Sequence, residues 1–497
     1  MATGTADASS NDRAAGLTAF AVILAALLLA LRLVAASRSG LFFDEAYYWQ
    51  WSTNLMPGYF DHPPAIAYFI RLGTLLFGDT TLGIRFMPAL SAPLNALALW
   101  AIALKLTGDR RLAAWAAILA SVSGAALLAI AALPDEPMVL FWLWAAFALV
   151  AVYRGGSPAW WVFAGAMIGL AADAKYTAAL LALGLFAWTL WEPSLRRYYR
   201  TAWPWLGLLT MLAIMSPVIA WNTARGWPSL LMQSMRDGLE VSGLESLLSY
   251  LGQTALLTSP PILLLGVIGL LRRSQRPLLL LGIVPTVLFL GVFAFSDEVT
   301  VNSILPIAYW CALPASLAMT NVAWWKRGLA ILAVLLGATL ATTCYVLFSL
   351  PPGAVSDRLD LARTYRGWSE AARAVEAARI DNGAAYIVAD RYYYPGYLKL
   401  ALGVDAPAFH LASPQYDTEY SRWRRWDGFP SARPEDAAAT AIFIGSERAA
   451  QLYYGSVTPL AAVSRPNGAD KPPQLNLLLV ADPKPETAPL FNNWQMP

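Results

Sequence analysis

Charged side chains are scarce in this 497-residue chain, where Asp, Glu, Lys and Arg make up 13% of the residues. Soluble globular proteins carry roughly 25% charged and roughly 45–50% apolar residues, whereas the apolar share here is 58%. This composition excludes an ordinary soluble protein and predicts an integral membrane protein. The net charge of +3 gives no indication of a nucleic-acid partner, because membrane topology accounts for the basic residues.

Cysteine and histidine are almost missing, with two residues of each type. Cys311 and Cys344 fall in predicted membrane spans, so a disulfide framework is not indicated. The first 13 residues contain neither a basic leading region nor a small-residue cleavage site, which favours a retained span over a cleaved signal peptide. The sequence also lacks an internal repeat and the inverted pair of broken helices that is typical of many transporters.

Long apolar runs predict eleven membrane-spanning helices, since about 20 apolar residues are needed to cross a bilayer. Their approximate bounds are 17–36, 82–104, 112–132, 137–153, 158–172, 177–191, 202–221, 250–271, 277–295, 305–320 and 328–349. The sequence therefore predicts a polytopic α-helical membrane protein.

Basic residues gather in alternate loops between these spans, and short cytoplasmic loops collect Lys and Arg. The loops assigned to the cytoplasm hold Lys105, Arg110, Arg111, Arg154, Arg196, Arg197, Arg200, Arg272, Arg273, Arg276, Lys326 and Arg327. The loops assigned to the outer side are poor in basic residues and lie at 134–137, 173–175, 221–249 and 296–302. With an odd number of spans, residues 1–16 form a cytoplasmic tail, and everything after Leu350 is extracytoplasmic.

From residue 350 onward the composition becomes that of a soluble domain. Apolar runs shrink to strand length at 384–389, 441–445 and 475–481, and they alternate with helical patterns at 365–380 and 392–402. That alternation predicts a small α/β extracytoplasmic domain over 350–497, which is large enough to bury its own core.

Residues 41–64, LFFDEAYYWQWSTNLMPGYFDHPP, combine three carboxylates with many aromatic rings beside the first span. Two amphipathic segments in 41–78 predict short helices on the outer membrane surface, because Trp and Tyr favour the interface. Asp44 and Glu45 are either merely solvated or chemically active. Their aromatic neighbours argue for activity, since an apolar setting makes a carboxylate a better base. One of the two is expected to deprotonate a hydroxyl at this interface.

Two later outward turns carry further charges. Asp135 and Glu136 lie between two prolines, and either Asp135 caps the following helix or the acidic pair belongs to a site. Lys175 is a lone outward lysine, so it is expected to have a partner. That partner is either Asp173 or a phosphate group, for which lysine is a compact point-charge ligand.

The remaining polar candidates have less specific patterns. Asp61 and His62 could pair, bind a metal with Asp44 or Glu45, or hold a turn together. No ligand spacing is present, so no cofactor is predicted and a divalent metal is possible without being indicated.

Three other groups of side chains favour plain structural roles. Arg225 and Arg236 contact either an anion or lipid phosphates, and Asp297 and Glu298 indicate a solvated turn. A group of tyrosines is expected to pack the soluble domain onto the membrane surface: Tyr392, Tyr393, Tyr394 and Tyr397.

The motifs DEAYYWQW and GYFDHPP, followed by PDEP and ADAKYTAALL, resemble those of the polytopic GT-C glycosyltransferases. The RgtA/B/C/D-like branch is the most similar; it is grouped with lipid A aminoarabinose transferases and protein O-mannosyltransferases. The resemblance covers residues 15 to about 320 and is weak over the soluble domain. It implies a GT-C transmembrane module over 17–349 and an inverting glycosyltransferase that uses a polyprenyl-phosphate sugar donor without depending on a metal.

Site roles follow from this resemblance residue by residue. Asp44 is implied to be the general base, with Glu45 orienting it, and Lys175 with Arg225 to hold the donor phosphate. The implied substrate-binding residues are Tyr47, Asp61, His62, Asp135, Glu136 and Tyr176. Ala174 departs mildly from the family pattern, which has a small hydroxyl residue before the lysine.

The resemblance also implies partners and a location. The acceptor is a lipid or glycan, most readily lipid A, lipopolysaccharide core or another glycolipid, in contact with membrane lipids and without nucleic acid. This places the chain in an inner (plasma) membrane with a periplasmic C-terminal domain. The alternatives are a protein O-glycosyltransferase of the same fold, a non-catalytic assembly subunit, and a lipid-linked-sugar transporter or flippase. A midplane cluster of acids would favour a transporter, whereas the predicted acids gather on one outer face.

Overall fold

The computed structural model describes residues 2–59, 61–227, 229–230, 243–271, 286–288, 291, 304–320, 323–410, 439–468 and 472–484. Several predictions lie outside this range: the basic residues Arg272, Arg273 and Arg276, the loop residues Arg236, Asp297 and Glu298, and almost all of the span at 277–295.

The chain forms two compact units. The first unit contains Met1–Val34, Phe86–Ala220 and Gln233–Tyr345, and the second contains Ala35–Arg85, Trp221–Met232 and Val346–Pro497. The sequence-based division instead assigned residues 41–78 to the transmembrane module. In the structure these residues belong with the C-terminal region, because their first helix packs against a C-terminal helix as described below.

The helices are numbered in chain order. They are α1 (Ala2–Arg38), α2 (Phe43–Thr53), α3 (Ala65–Phe77), α4 (Thr81–Thr107), α5 (Arg110–Ser121), α6 (Gly124–Leu128), α7 (Asp135–Tyr153), α8 (Trp160–Ala172), α9 (Ala178–Trp191), α10 (Pro193–Arg196), α11 (Trp203–Thr223), α12 (Gly243–Thr258), α13 (Pro260–Leu270), α14 (Leu305–Ala318), α15 (Trp324–Ser349), α16 (Trp368–Asp381), α17 (Tyr394–Leu402) and α18 (Glu447–Tyr453).

Five of the described helices are long and apolar enough to cross a membrane, namely Asp12–Arg38 within α1 and the whole of α4, α7, α11 and α15. Two more spans result if each bent pair counts as one. These pairs are Ala178–Trp191 with Pro193–Arg200, bent by 89°, and Leu247–Thr258 with Pro260–Leu270, bent by 96°. The described residues thus hold five to seven candidate spans where the sequence predicts eleven.

One predicted span, 277–295, lies almost wholly outside the described residues, and the other three that differ are short or interrupted. The predicted span at 112–132 divides into α5 and α6, and those at 158–172 and 305–320 are helices of 13 and 14 residues. The interruption between α5 and α6 faces Gly337 of α15. A Cβ on Gly337 would lie 2.1 Å from the Val122 carbonyl oxygen, so the backbones meet directly.

The helices of the first unit share a buried polar centre at Arg32. This side chain is 2% exposed, and its three nitrogens donate to the Tyr345 hydroxyl at 2.9 Å and to the carbonyls of Ala89 at 3.1 Å and Ala126 at 2.8 Å. One guanidinium therefore joins α1, α4, α6 and α15. An intramembrane charge is costly unless it is satisfied in this way.

The second unit contains a five-stranded mixed sheet. Its strands are β1 (Tyr386–Ala389), β2 (Ala408–His410), β3 (Ala441–Ile444), β4 (Tyr454–Pro459) and β7 (Leu477–Pro483), in the order β2-β1-β3-β7-β4. Two further strands, β5 (Val463–Ser464) and β6 (Gln474–Leu475), form a separate pair. β1 runs parallel to β2 and β3, and β7 runs antiparallel to β3 and β4.

The core of this sheet is apolar, with Val388, Phe443 and Val480 fully buried. The runs that the sequence assigns to strands at 384–389, 441–445 and 475–481 overlap β1, β3 and β7. The predicted helical patterns at 365–380 and 392–402 overlap α16 and α17.

Helix α17 packs against α2 within the second unit. A Cβ on Gly396 would lie 2.3 Å from the Ala46 carbonyl oxygen, so only glycine allows this approach. The Tyr397 hydroxyl donates to the Leu41 carbonyl at 2.6 Å, and its ring stacks on Trp368 at 4.1 Å. Tyr397 therefore packs against protein on both sides, and the predicted packing of the tyrosines onto the membrane surface stays a prediction.

Candidate functional site

The first turn of α2 carries both acids of the DE motif. Glu45 Oε2 accepts a hydrogen bond from the Phe42 amide at 2.7 Å, which satisfies a backbone donor just before the helix.

Glu45 forms a buried ion pair with Arg85, in which both side chains are 0% exposed. Arg85 Nε donates to Oε1 at 2.7 Å, and its second terminal nitrogen donates to Oε2. The guanidinium also donates to Ser39 Oγ at 2.7 Å and to the Gly40 carbonyl at 2.8 Å. The contacts of Glu45 thus hold α2 in place, and the role of Glu45 in orienting Asp44 stays a prediction.

Asp44 is half-buried, and the Tyr392 hydroxyl donates to its Oδ1 at 2.5 Å. The Tyr392 ring also meets the buried ring of Tyr47 edge-on at 5.2 Å between centroids. Among the described residues this is the one hydrogen bond to the Asp44 side chain, which leaves Oδ2 for another partner. This hydrogen bond therefore comes from a tyrosine of the C-terminal region.

Aromatic rings surround the two carboxylates. Phe43 stacks on Tyr393 at 4.4 Å, and Phe42 meets Tyr365 edge-on at 4.4 Å. The Arg85 guanidinium lies 5.0 Å from the centre of the Phe42 ring. Such packing limits the access of water to the acidic motif on these sides.

The DHPP segment forms a turn that is tied to the end of α2. His62 is 8% exposed, its ring lies 6.0 Å from that of Tyr48, and its carbonyl accepts from the Tyr59 amide at 3.3 Å. The Tyr59 hydroxyl in turn donates to the Trp51 carbonyl at 2.9 Å. This environment favours the structural alternative for His62. Asp61, the preceding residue, is partly buried in the same turn.

Arg225 belongs to the same unit and lies against Trp221. Its guanidinium is 4.9 Å from the Trp221 ring centre, and one terminal nitrogen donates to the Trp221 carbonyl at 3.3 Å.

In the first unit, Lys175 pairs with Asp135. Its Nζ donates to both carboxylate oxygens, at 2.8 and 2.9 Å, and the two side chains are 17% and 1% exposed. The sequence indicated Asp173 or a phosphate as the partner of Lys175, and the structure adds a third group 40 positions away. An ammonium has three protons, so one remains for a further acceptor. Asp135 is the first residue of α7 and not its cap, which is Pro134.

Three neighbours of this pair are also candidates from the sequence: Glu136, Asp173 and Tyr176. Glu136 is 1% exposed, and neither of its oxygens is hydrogen-bonded to any residue that the structure describes. It lies within electrostatic range of Arg32. The Tyr176 carbonyl accepts from the Ala179 amide at 3.0 Å in the first turn of α9.

Asp173 follows α8, and burial raises its pKa to about 7. The folded state therefore holds this proton more tightly than the unfolded state, so the free energy of unfolding falls as the pH rises from about 4 to about 7. Asp173→Asn should remove this contribution. Thermal unfolding of the purified protein between pH 4 and pH 7 checks it: equal pH dependence in both proteins would contradict the assignment.

The described part of the chain contains no group of three or more His, Cys, Asp or Glu side chains that could hold a metal ion.

Two residues with central contacts, Arg85 and Arg32, were not among the candidates from the sequence, and Tyr392 was expected only to pack the soluble domain onto the membrane surface. The sequence position of both arginines could have indicated such contacts, because an ionisable residue inside a predicted span, or at its end, needs a buried partner. Tyr392 carries no such signal, since its contact joins positions 348 apart.

Comparison with known proteins gives three kinds of similarity. Residues 61–221 match the family model described as dolichyl-phosphate-mannose-protein mannosyltransferase. A lipid A galacturonosyltransferase, RgtD of Rhizobium johnstonii, is 31% identical over 144 residues, which cover 29% of this chain and 30% of that protein. The match thus spans less than a third of the curated relative.

Solved structures extend the similarity to nearly the whole chain. ArnT from Cupriavidus metallidurans bound to undecaprenyl phosphate has a TM-score of 0.66 at 16% identity, and the match covers 93% of this chain and 98% of that one. The arabinofuranosyltransferase AftD from Mycobacteria has a TM-score of 0.55 at 17% identity, covering 93% of this chain and 41% of that one. At such identities the likeness is one of fold.

Proposed function

We propose that this chain is a GT-C glycosyltransferase and that it transfers one sugar from a polyprenyl phosphate to an extracytoplasmic acceptor, which its similarity to the mannosyltransferase family model, to RgtD and to the fold of ArnT supports. The acceptor is lipid A, lipopolysaccharide core or another glycolipid. The relative named a lipid A galacturonosyltransferase and the neighbour bound to undecaprenyl phosphate both support this choice.

The observation that carries the proposal is the hydrogen bonding of the Asp44 carboxylate. One carboxylate oxygen is held by Tyr392, and the other is available for a proton. The residue lies in the first turn of α2, where the helix dipole favours a negative charge. A carboxylate that is held in position beside aromatic rings is what a general base requires.

The reaction uses few groups. The acceptor hydroxyl gives its proton to Asp44 Oδ2 and its oxygen bonds to the anomeric carbon of the sugar. The bond from that carbon to the carrier phosphate breaks, and the phosphate leaves with the electron pair. Lys175 and Arg225 neutralise the charge that develops on the leaving phosphate. Inversion at the anomeric carbon follows from a single displacement.

The proposal also includes the membrane topology of the chain. The acidic motif faces the outer side of an inner membrane, with the N-terminus in the cytoplasm and the C-terminal region in the periplasm. This agrees with the distribution of basic residues along the chain.

The test is sugar transfer by the purified protein. Radiolabelled polyprenyl phosphate sugars that carry a hexose, a pentose or a hexuronic acid are incubated with the protein in detergent and a membrane extract as the source of acceptor. Transfer of label to a glycolipid fraction from one donor is the expected result. Movement of the labelled donor across vesicle membranes without any transfer would instead support a flippase.

The match to the mannosyltransferase family model supports protein as a second candidate acceptor. Protease treatment of the labelled product distinguishes the two, because label on protein becomes soluble in water and label on glycolipid stays in the organic phase.

Lys175→Met should weaken the use of the donor more than that of the acceptor. Loss of a phosphate contact worth about 1.4 kcal/mol raises the donor KM about tenfold, while the acceptor KM stays within about twofold. Steady-state kinetics with each substrate varied in turn measures both values.

The control for this variant is Asp135→Asn combined with Lys175→Met. The single variant leaves the Asp135 carboxylate buried and unpaired, whereas the double variant removes that charge. If the double variant restores donor KM to the wild-type value, Lys175 acts only as the partner of Asp135 and not on phosphate.

A further inference from the structure

We propose that Tyr392 is a positioning residue for Asp44, through which the C-terminal region completes the catalytic site. This rests on the proposed role of Asp44 as the general base. The Tyr392 hydroxyl donates to Asp44 Oδ1 at 2.5 Å and keeps its own proton throughout the reaction. With Oδ1 occupied, Oδ2 is the atom that receives the proton of the acceptor hydroxyl.

The place of Tyr392 in the fold suits this role. It lies between the end of β1 at Ala389 and the start of α17 at Tyr394. Functional side chains commonly lie at the carboxyl ends of parallel strands in α/β units. Because β1 is parallel to both of its neighbours, the turn that carries Tyr392 starts from the centre of the parallel part of the sheet.

The turn is fixed against α2 on both sides of the hydroxyl. Tyr393 stacks on Phe43 at 4.4 Å, which is the residue before Asp44. Gly396 touches the backbone of Ala46, two residues after Asp44. The Tyr392 hydroxyl is therefore held in place by backbone and ring contacts on the same helix that carries the carboxylate.

A carboxylate with one fixed oxygen presents the other in a fixed direction. Proton transfer depends on such alignment, and misplacement of a reacting group by about 1 Å can cost about 10²-fold in rate. Loss of the hydroxyl should therefore act on the chemical step and leave substrate binding unchanged.

The first experiment is Tyr392→Phe, which keeps the ring contact with Tyr47 and removes the hydrogen bond. We expect kcat to fall roughly 10- to 100-fold, with both KM values within about twofold of the wild type. Tyr393→Phe is the matched control: it removes a hydroxyl from the next residue and keeps its stacking on Phe43, so its kcat should stay near the wild-type value. Wild-type kcat in Tyr392→Phe, or an equal loss in both variants, overturns the proposal.

A second measurement needs no activity. A water-soluble carbodiimide with an amine modifies accessible carboxyl groups, and mass spectrometry of the intact wild-type protein and of each variant follows the modification of Asp44. Removing the hydroxyl uncovers Oδ1, so Asp44 should react severalfold faster in Tyr392→Phe than in the wild type or in Tyr393→Phe. An unchanged rate overturns the proposal.

A further variant, Asp44→Asn, separates this inference from the proposed function. If Asp44→Asn keeps its activity, the role of Asp44 as base fails, whatever Tyr392→Phe does. If Asp44→Asn is inactive and Tyr392→Phe matches the wild type in both measurements, the proposed role of Asp44 as general base is supported and the proposed role of Tyr392 is contradicted.

Discussion

Asp44→Asn should abolish sugar transfer while the protein still folds. General-base catalysis contributes about 10²- to 10⁴-fold to a rate, and an amide cannot take the proton of the acceptor hydroxyl. Folding should survive because the Asn side-chain oxygen can accept the hydrogen bond from Tyr392 in place of Asp44 Oδ1. Transfer of label per mole of purified protein measures the loss, and thermal unfolding checks the fold.

Asp79→Asn is the matched control for this variant. Asp79 lies in the same unit, is exposed, and accepts a hydrogen bond from Trp49 Nε1 at 2.8 Å, which an amide oxygen can also accept. The substitution has the same chemistry outside the acidic motif, so activity should stay near that of the wild type. Retention of more than half of the activity by Asp44→Asn would remove Asp44 from the role of base.

Arg85→Met should destabilise the protein strongly. It leaves the Glu45 carboxylate buried without its cation, and breaking a buried ion pair from one side costs about 3–5 kcal/mol. It also removes donors from Ser39 and the Gly40 carbonyl. The midpoint of thermal unfolding in detergent should fall clearly, and Asp44 should lose its fixed position because α2 is no longer anchored.

A double-mutant cycle isolates this pair. Glu45→Gln combined with Arg85→Met removes both charges, so it should be less destabilising than Arg85→Met alone. Arg111→Met is the surface control, since Arg111 pairs with Asp109 at a side-chain exposure of 52% and exposed pairs contribute little. Additive effects of the two single substitutions would mean that the ion pair does not couple them.

Hydropathy located the long spans well and the interrupted ones poorly. The predicted spans at 82–104 and 328–349 lie within α4 and α15, because an uninterrupted apolar run and a helix of that length coincide. The break between α5 and α6 has no such signal in an apolar run from 112 to 132. Its position coincides with a backbone contact to Gly337, which lies more than 200 positions later.

For the site as well, features within one short stretch of sequence could be predicted, and contacts between distant positions could not. The acids of the DE motif could be picked out from sequence because their aromatic setting is contiguous with them. The partners of these two acids could not be predicted from the sequence, because Arg85 lies 40 positions from Glu45 and Tyr392 lies 348 positions from Asp44. Lys175 illustrates both cases. Its position as a lone outward lysine predicted that it has a partner, but only the structure identified that partner as Asp135.

The hydrogen bond between Tyr392 and Asp44 has a consequence for biosynthesis. Translation at about 5–20 residues per second needs roughly 20–70 s to cover the 348 positions between the two residues. During that time α2 has been synthesised, but the tyrosine that donates a hydrogen bond to Asp44 has not. Synthesis of the acidic motif is therefore complete well before the residue that donates to Asp44 is made, and premature termination anywhere before Tyr392 yields a chain that lacks this contact.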